Sequence, residues 1–143
     1  MENQKVIHWG IIGLGKIARK FAEDLRHVPH ATLAAVASTD LARAEQFASD
    51  FGVPAAFGSY EELFQAKPLD AVYIATPPDS HLFYALKVAA AGKICCVEKP
   101  MALNAEECTQ MVAAFEQAGK PLFVAYYRRS LPRFVQVRQW LHQ

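Results

Sequence analysis

The chain has 143 residues, of which 52% are hydrophobic and 20% charged, so it is long and apolar enough for one domain with a substantial core. Its formal net charge of +1 excludes the strong electrostatic attraction on which binding to nucleic acid or to a membrane surface would depend. No apolar run is long enough to span a bilayer, and the first predicted strand starts too early to leave room for a signal peptide.

The first predicted elements are a strand, a glycine-rich turn and a helix. Residues 6–12 are apolar at nearly every position, as expected of a parallel strand that is covered on both faces. The next six residues, Gly13-Leu14-Gly15-Lys16-Ile17-Ala18, match the dinucleotide fingerprint G-x-G-x-x-G/A. In that motif Gly13 permits the tight turn, Gly15 lets a pyrophosphate approach the backbone, and Ala18 lets the helix pack closely on the strand. We therefore predict that residues 13–18 bind dinucleotide phosphates at a helix N-terminus, with an ordinary strand–helix turn as the alternative.

Strands and helices alternate along the rest of the chain. Further strands are predicted at residues 31–37, 53–57, 70–75, 94–97 and 122–126. Helices are predicted at residues 17–28 and 40–51, after the caps Ser59 and Asn104, between Pro78 and Gly92, and from Pro132. This alternation predicts an α/β Rossmann fold, a doubly wound parallel sheet of order 3-2-1-4-5-6 in three α/β/α layers. Functional residues are then expected where strands end, at residues 13–18, 38–40, 75–78, 98–100 and 125–129.

The end of the second strand predicts which dinucleotide is bound. The residue after this strand is Ser38, and not the acid that bonds the ribose 2′-hydroxyl of NAD in this fold. Asp40 follows two positions later, where a helix cap explains it better. Ser38, Thr39 and Arg43 are therefore predicted to favour the 2′-phosphate of NADP over NAD, unless Arg43 is only a solvated helix residue.

The loop after the fourth strand is another predicted contact with the cofactor. Its residues are Ala75, Thr76, Pro77 and Pro78. The two prolines hold this loop extended, and we expect it to lie against the nicotinamide ribose. Asp79 or Ser80 is predicted to cap the next helix. His81 stands in the first turn of that helix, either as a cofactor contact or as a packed residue, and lacks the acid partner that a general base would need.

Glu98-Lys99-Pro100 forms a compact polar cluster at the end of the fifth strand. The strand delivers a carboxylate, an ammonium group and a ring-locked turn to the edge of the sheet where the ligand is expected. Lys99 is the predicted catalytic residue, because its ammonium group can donate a hydrogen bond to the substrate oxygen, which bears negative charge on the alcohol side of the hydride transfer. The alternative for Lys99 is a solvated lysine at a strand end.

The three cysteines predict neither a metal site nor a disulfide framework. Cys95 and Cys96 are adjacent in a strand, so their side chains point to opposite faces, and Cys108 lies in a helix. There is no C-x-x-C pair, and no histidine pair has the spacing of metal ligands. We therefore expect three reduced thiols in a cytoplasmic protein.

Four motifs in this order resemble the N-terminal half of the Gfo/Idh/MocA oxidoreductases, the family of glucose–fructose oxidoreductase and inositol dehydrogenase. The motifs are residues 13–18, 76–81, 98–100 and 126–129. The resemblance covers nearly the whole chain, and Glu98-Lys99-Pro100 is its most specific element. The stretch from Ala42 to Leu63 is similar to the branch of NADP-using dihydrodiol and sugar dehydrogenases.

The resemblance implies NAD(P) binding and hydride exchange with the carbinol carbon of a sugar, a cyclitol or a related diol. It also implies that Lys99 contacts the reacting hydroxyl and the nicotinamide region, that Glu98 helps to fix the nicotinamide end, and that Arg128 or Arg129 lies near the cofactor. Pro78 departs from the family pattern, because many members carry Asn at this position.

The resemblance further implies a second α/β domain, absent from this chain, that supplies most substrate contacts and the usual dimer interface. We therefore expect a Rossmann domain at residues 1–125 and the start of a connection at residues 126–143. In this connection Phe134, Val137 and Leu141 form an apolar stripe at helical spacing. The expected partners are a sugar-like or polyol-like small molecule and, in the full-length form, a second copy of the chain.

Two other functions stay open at this point. The first is a non-catalytic sensor that binds a dinucleotide to control a partner, because the same fold includes such a corepressor. The second is a domain for another nucleotide, such as the adenosine of a methyl donor, which would leave Lys99 and the prolines without a role.

Overall fold

The computed structural model of the chain describes residues 5–142, in which one sheet lies between two layers of helices. The strands are β1 (Ile7–Ile12), β2 (Ala31–Ala37), β3 (Ala55–Phe57), β4 (Ala71–Ile74), β5 (Ile94–Val97) and β6 (Leu122–Val124). The α-helices are α1 (Lys16–Leu25), α2 (Leu41–Phe51), α3 (Tyr60–Gln65), α4 (His81–Ala90), α5 (Ala105–Ala118) and α6 (Pro132–Leu141). Two short 3₁₀ turns, Pro78–Ser80 and Tyr127–Ser130, precede α4 and α6.

The sheet has the order β3-β2-β1-β4-β5-β6, and every neighbouring pair is parallel. This confirms the predicted doubly wound fold. The strand order reverses between β1 and β4, because the chain leaves β3 at one side and returns to the centre of the sheet at β4. A crevice for a ligand opens at such a switch point, beyond the carboxyl ends of the strands.

Each face of the sheet has its own core, since successive side chains of a strand point to opposite faces. Ile11 of β1 and Tyr73 of β4 pack with Phe47 under α1 and α2. Ile12 and Val72, their neighbours in sequence, pack on the other face with residues of α3, α4 and α5. All five side chains are 2% exposed or less, which explains why the central strands are almost continuously apolar.

Three predicted helix caps are confirmed. Asp40 accepts a hydrogen bond from the backbone of Arg43, Ser59 from Glu62, and Asn104 from Glu107. The carboxylate of Glu107 in turn accepts from the backbone of Leu103 rather than from that of the cap. Gly52 and Gly119 end α2 and α5 in the left-handed conformation, as predicted.

Other boundaries differ from the prediction for local reasons. The backbone of Val53 donates to Ala48 and closes the end of α2, so β3 begins at Ala55. Neither Asp79 nor Ser80 caps α4 with its side chain, because the Ser80 hydroxyl is instead hydrogen-bonded to the Thr76 hydroxyl and to the Pro77 carbonyl. The helix α1 ends at Leu25 and the strand β6 at Val124, both earlier than expected.

A polar cluster joins β1 to β4 at the edge of the sheet opposite the expected site. The carboxylate of Asp70 accepts hydrogen bonds from Lys5 Nζ at 2.7 Å and from the backbone of His8 at 3.0 Å, and His8 Nδ1 lies 3.1 Å away. Lys5 and then the His8 backbone hold the pKa of Asp70 well below its usual range.

No helix among residues 5–142 is long and apolar enough to cross a membrane.

The change Asp70→Asn is expected to destabilise the fold in a manner that depends on pH. The pKa of Asp70 is lower in the folded state than in the unfolded state. Its carboxylate therefore stabilises the fold above the unfolded-state pKa of about 4, and this stabilisation disappears as the pH falls through the folded-state pKa. We expect a loss of about 1–2 kcal/mol in the free energy of unfolding at neutral pH and a smaller loss near pH 3, measured by urea denaturation. Asp24→Asn is the control, because its pair with Lys20 is exposed. A loss at Asp70 that did not change with pH would contradict the assignment.

Candidate functional site

The glycine turn after β1 is held against the loop after β4. Gly13 has a φ of +80°, and a Cβ atom at this position would lie 2.6 Å from the backbone of Ala75 and of Thr76. Backbone atoms cannot yield as a flexible side chain does, so no other residue fits here without moving a loop. The two segments that were predicted to contact the cofactor are therefore in direct contact with each other.

Gly15 opens the other side of the turn towards solvent. It is the N-cap of α1, in an extended conformation, and offers no side-chain oxygen to the first-turn N–H groups of the helix. A Cβ atom at Gly15 would meet no atom within 4 Å. The first turn of α1, with its exposed Lys16, thus presents free donors to an open space, which fits an anion such as a pyrophosphate. Leu14 and Ala18 are buried beneath this surface.

Arg43 joins the start of α2 to the glycine turn. Its guanidinium Nη2 donates to the carbonyl oxygen of Leu14 at 3.1 Å. Ser38 is 5% exposed, and its hydroxyl accepts a hydrogen bond from the backbone of Asp40, whereas Thr39 is exposed. The carboxylate of Asp40 is aimed at the backbone of Arg43, as a helix cap. This end of the crevice therefore carries a guanidinium group and two hydroxyls, and its acid, Asp40, caps α2.

Tyr60 is a residue of this region that sequence reasoning treated only as part of a helix. Burial and then the neighbouring Tyr84 raise the pKa of Tyr60, while Arg43 and the backbone of Gly13 act in the opposite direction. Its hydroxyl therefore faces the glycine turn and Arg43. No local sequence signal reveals this, because Gly13 and Tyr60 are brought together only by the packing of α3.

The structure corrects the predicted contact between His81 and the cofactor. The His81 side chain is fully buried, with Nδ1 2.9 Å from the carbonyl oxygen of Pro100 and Nε2 2.8 Å from that of Thr76. Because both ring nitrogens face backbone carbonyls, neither is free to contact a ligand. His81 instead ties the loop after β4 to the loop after β5.

Glu98 and Lys99 point in different directions from the end of β5. Glu98 is 9% exposed; its Oε1 accepts a hydrogen bond from the Tyr73 hydroxyl at 2.5 Å, and its Oε2 accepts one from the backbone of Lys99 at 3.0 Å. The side chain of Lys99 is exposed and has no ion pair with any carboxylate in residues 5–142. The ammonium group is therefore available to a ligand, while the carboxylate is fixed by its neighbours.

A cleft of about 580 Å³ brings several predicted residues together at this edge. Its lining residues are Ile17, Glu98, Lys99, Ala125, Tyr126, Tyr127, Arg128 and Arg129. Its size is that of a small-molecule site. Ser38 and Arg43 do not line this cleft and lie at the far end of the crevice, beyond the glycine turn. Within the described part of the chain, no three His, Cys, Asp or Glu side chains are placed to hold a metal ion.

Comparisons with known proteins agree with this geometry. Residues 7–126 match the model of the Gfo/Idh/MocA family, which is described as an oxidoreductase family with an NAD-binding Rossmann fold. The chain is 40% identical over 139 residues to trans-1,2-dihydrobenzene-1,2-diol dehydrogenase of Mus musculus, a match that covers 96% of this chain and 42% of that protein. The chain thus spans about two fifths of the length of this curated relative.

Solved structures of dehydrogenases and reductases are also similar to this chain in fold. The WlbA dehydrogenase of Bordetella pertussis, in complex with NADH and UDP-GlcNAcA, superposes with a TM-score of 0.90 at 28% identity, over 98% of this chain and 42% of that one. The 3-ketoreductase KijD10 of Actinomadura kijaniata, a Y186F mutant in complex with TDP-benzene and NADP, superposes with a TM-score of 0.90 at 27% identity. That match covers 95% of this chain and 42% of KijD10.

The two glycines of the turn are expected to differ in their tolerance of a side chain. Gly13→Ala should lower the free energy of unfolding by about 2 kcal/mol or more, because of its positive φ and the contact with the β4 loop. Gly15→Ala should change it by less than about 0.5 kcal/mol, because the added methyl group meets open space. Denaturant unfolding of both variants measures this difference, and equal stabilities would contradict the described packing of the two loops.

Proposed function

Because the chain belongs to the Gfo/Idh/MocA oxidoreductase family, whose fold binds NAD, we propose that it is the dinucleotide-binding domain of an NAD(P)-dependent dehydrogenase. The proposed reaction is hydride exchange with the carbinol carbon of a sugar, a cyclitol or a related diol. One observation carries the proposal. The open first turn of α1 and the unpaired ammonium group of Lys99 lie at the same edge of the sheet and flank one cleft.

The glycine turn and the start of α1 are proposed to bind the pyrophosphate. Gly15 leaves the space that the phosphates need, and the N–H groups of Lys16 and Ile17 belong to the first turn of the helix, where no intrahelical acceptor exists. The positive end of the helix dipole adds to this attraction. Ala75, Thr76 and Pro77 would contact the cofactor from the neighbouring loop.

Lys99 is proposed as the catalytic residue within this chain. The nicotinamide, when bound, accepts or returns the hydride. After the hydroxyl proton has passed to a base in another part of the protein, the ammonium group of Lys99 would donate a hydrogen bond to the negatively charged alkoxide oxygen before hydride leaves, and to the same oxygen as its charge grows when hydride returns to the carbonyl carbon. Glu98 would help to fix the nicotinamide end of the cleft, and Arg128, which also lines the cleft, would contact the cofactor.

NADP is the proposed cofactor in preference to NAD. Arg43 lies over the glycine turn, where a guanidinium group would pair with a 2′-phosphate. The hydroxyls of Ser38 and Thr39 leave room for that phosphate and add no negative charge. The carboxylate of Asp40 caps α2 and is held towards the backbone of Arg43.

The remaining residues 126–143 are proposed to connect this domain with the part of the protein that supplies the substrate contacts. In α6 the side chains of Phe134, Val137 and Trp140 are each more than 40% exposed, so this helix has an apolar face that is not covered by the Rossmann domain. A small sugar-like or polyol-like substrate and self-association of the full-length protein belong to the same proposal.

Replacing Arg43 is expected to weaken the binding of one cofactor more than that of the other. Arg43→Ala should weaken NADP⁺ binding about tenfold or more, through the lost pairing with the 2′-phosphate, and should weaken NAD⁺ binding much less. Calorimetric titration measures both affinities. Arg19→Ala is the matched control, because Arg19 is paired with Asp50 on the outer side of α1. An equal loss for both cofactors would mean that Arg43 acts only by holding the backbone of Leu14.

Lys99→Gln tests the catalytic proposal. In protein that carries this domain and oxidises a polyol, we expect kcat to fall about 10²–10³-fold, because the shorter, uncharged amide replaces the ammonium donor that stabilises the alkoxide oxygen. The affinity for NADP⁺ should change by less than about threefold. Steady-state kinetics and calorimetry measure the two quantities. Wild-type protein that binds the dinucleotide but oxidises no sugar, cyclitol or diol would favour the non-catalytic sensor.

A further inference from the structure

The hydroxyl of Tyr73 lies on the inner side of the site, where the mechanism above does not use it. Tyr73 belongs to the central strand β4 and is 2% exposed. Its ring stacks on that of Phe21 in α1, with a centroid distance of 3.9 Å and an angle of 10° between the ring planes. Its hydroxyl donates to Oε1 of Glu98 at 2.5 Å. One side chain thus touches both the helix at the phosphate end and the acid at the nicotinamide end.

The hydrogen-bond partners of Glu98 explain why a hydroxyl is needed at this position. A carboxylate with little access to water requires donors, and Tyr73 and the backbone of Lys99 supply one to each oxygen. A phenylalanine at position 73 would preserve the stacking on Phe21 and would leave Oε1 without this donor. Burial and the nearby carboxylate raise the pKa of Tyr73, so the phenol keeps its proton and remains a donor.

The two anchored oxygens of Glu98 retain further acceptor capacity. Each carboxylate oxygen has about two lone-pair sites, so Glu98 can accept from a ligand while both anchors are in place. Glu98 also lines the cleft that contains Lys99 and Ile17. Ile17 lies one helical turn before Phe21 in α1, so the same helix contributes to the cleft and to the stacking on Tyr73.

We propose that Tyr73 is a positioning residue for the nicotinamide end of the site, acting through the hydrogen bond that fixes the carboxylate of Glu98. This inference rests on the proposed function, because it assumes that Glu98 contacts a bound nicotinamide. The stacking on Phe21 couples this anchor to α1. The position of Glu98 therefore depends on the same helix that would bind the pyrophosphate.

Tyr73→Phe tests this role, because it removes the hydroxyl and keeps the ring. We expect NADP⁺ to bind about five- to tenfold more weakly than to the wild type, because the carboxylate of Glu98 is no longer fixed where it contacts the nicotinamide. The adenine half alone, 2′,5′-ADP, should bind with unchanged affinity, because it does not reach Glu98. Tyr84→Phe is the matched control, since Tyr84 is half-buried on α4 and no hydrogen bond of its hydroxyl occurs among residues 5–142.

A double variant separates positioning from a general loss of structure. In the Glu98→Gln background, Tyr73→Phe should weaken NADP⁺ binding by less than about twofold, because the two changes act through one contact. Equal losses in both backgrounds, or an equal loss for NADP⁺ and 2′,5′-ADP, would overturn the proposal. Wild-type protein that binds neither ligand would overturn the proposed function with it, whereas normal binding by Tyr73→Phe would overturn only this inference.

A second measurement applies if Tyr73→Phe does not fold. The near-ultraviolet absorption of tyrosine is compared at neutral pH in the wild type and in Glu98→Gln, and the chain has five tyrosines. The spectrum should shift to shorter wavelength in Glu98→Gln, because the Tyr73 phenol no longer donates to a charged carboxylate. Identical spectra would show that Tyr73 and Glu98 do not interact, and would overturn the inference.

Discussion

The close approach of two backbone segments is the constraint on which the rest of the site depends. The turn after β1 and the loop after β4 touch at Gly13, where any side chain would collide with the chain at Ala75 and Thr76. This contact lies at the point where the strand order reverses. It fixes the start of α1 relative to the centre of the sheet, and thereby the distance between the open face at Gly15 and the cleft beside Lys99.

Buried polar side chains hold the neighbouring loops in the same arrangement. His81 lies between the carbonyls of Thr76 and Pro100 and so packs the loop after β4 against the loop after β5. Tyr73 performs a similar function from inside the sheet, since it joins Glu98 to α1. Such groups are costly to bury without partners. Because these buried polar groups all have hydrogen-bond partners, the loop that carries Lys99 is fixed in place while the Lys99 ammonium group stays exposed.

The elements of the fold that depend on local chemistry could be predicted from the sequence. The glycine fingerprint, the cap Asp40 and the stop Gly52 act over a few residues, and the apolar strands follow from burial on both faces. The alternation of strands and helices then limits the topology almost to one order. The resemblance to a known family added the role of Glu98 and agreed with the role predicted for Lys99 from its place at a strand end, and both roles stay predictions until they are tested.

The parts that could not be predicted depend on residues far apart in the chain. His81 is 19 positions from Pro100, and Tyr73 is 25 positions from Glu98, so neither pairing leaves a local pattern. A histidine at a helix start is compatible both with a ligand contact and with a buried tie, and only the surrounding loops decide between them. The Ser80 side chain does not cap α4 for a similar reason, because its hydroxyl forms a hydrogen bond with the hydroxyl of Thr76.

Titration of the folded chain with NADP⁺, for the wild type and for Gly15→Val, tests the central claim most directly. The wild type should bind saturably. In Gly15→Val the branched side chain should fill the space above the first turn of α1 and weaken binding by about thirtyfold or more, while thermal unfolding stays nearly unchanged. Equal affinities of the two proteins, or no binding by the folded wild type, would contradict the assignment of this crevice as a dinucleotide site.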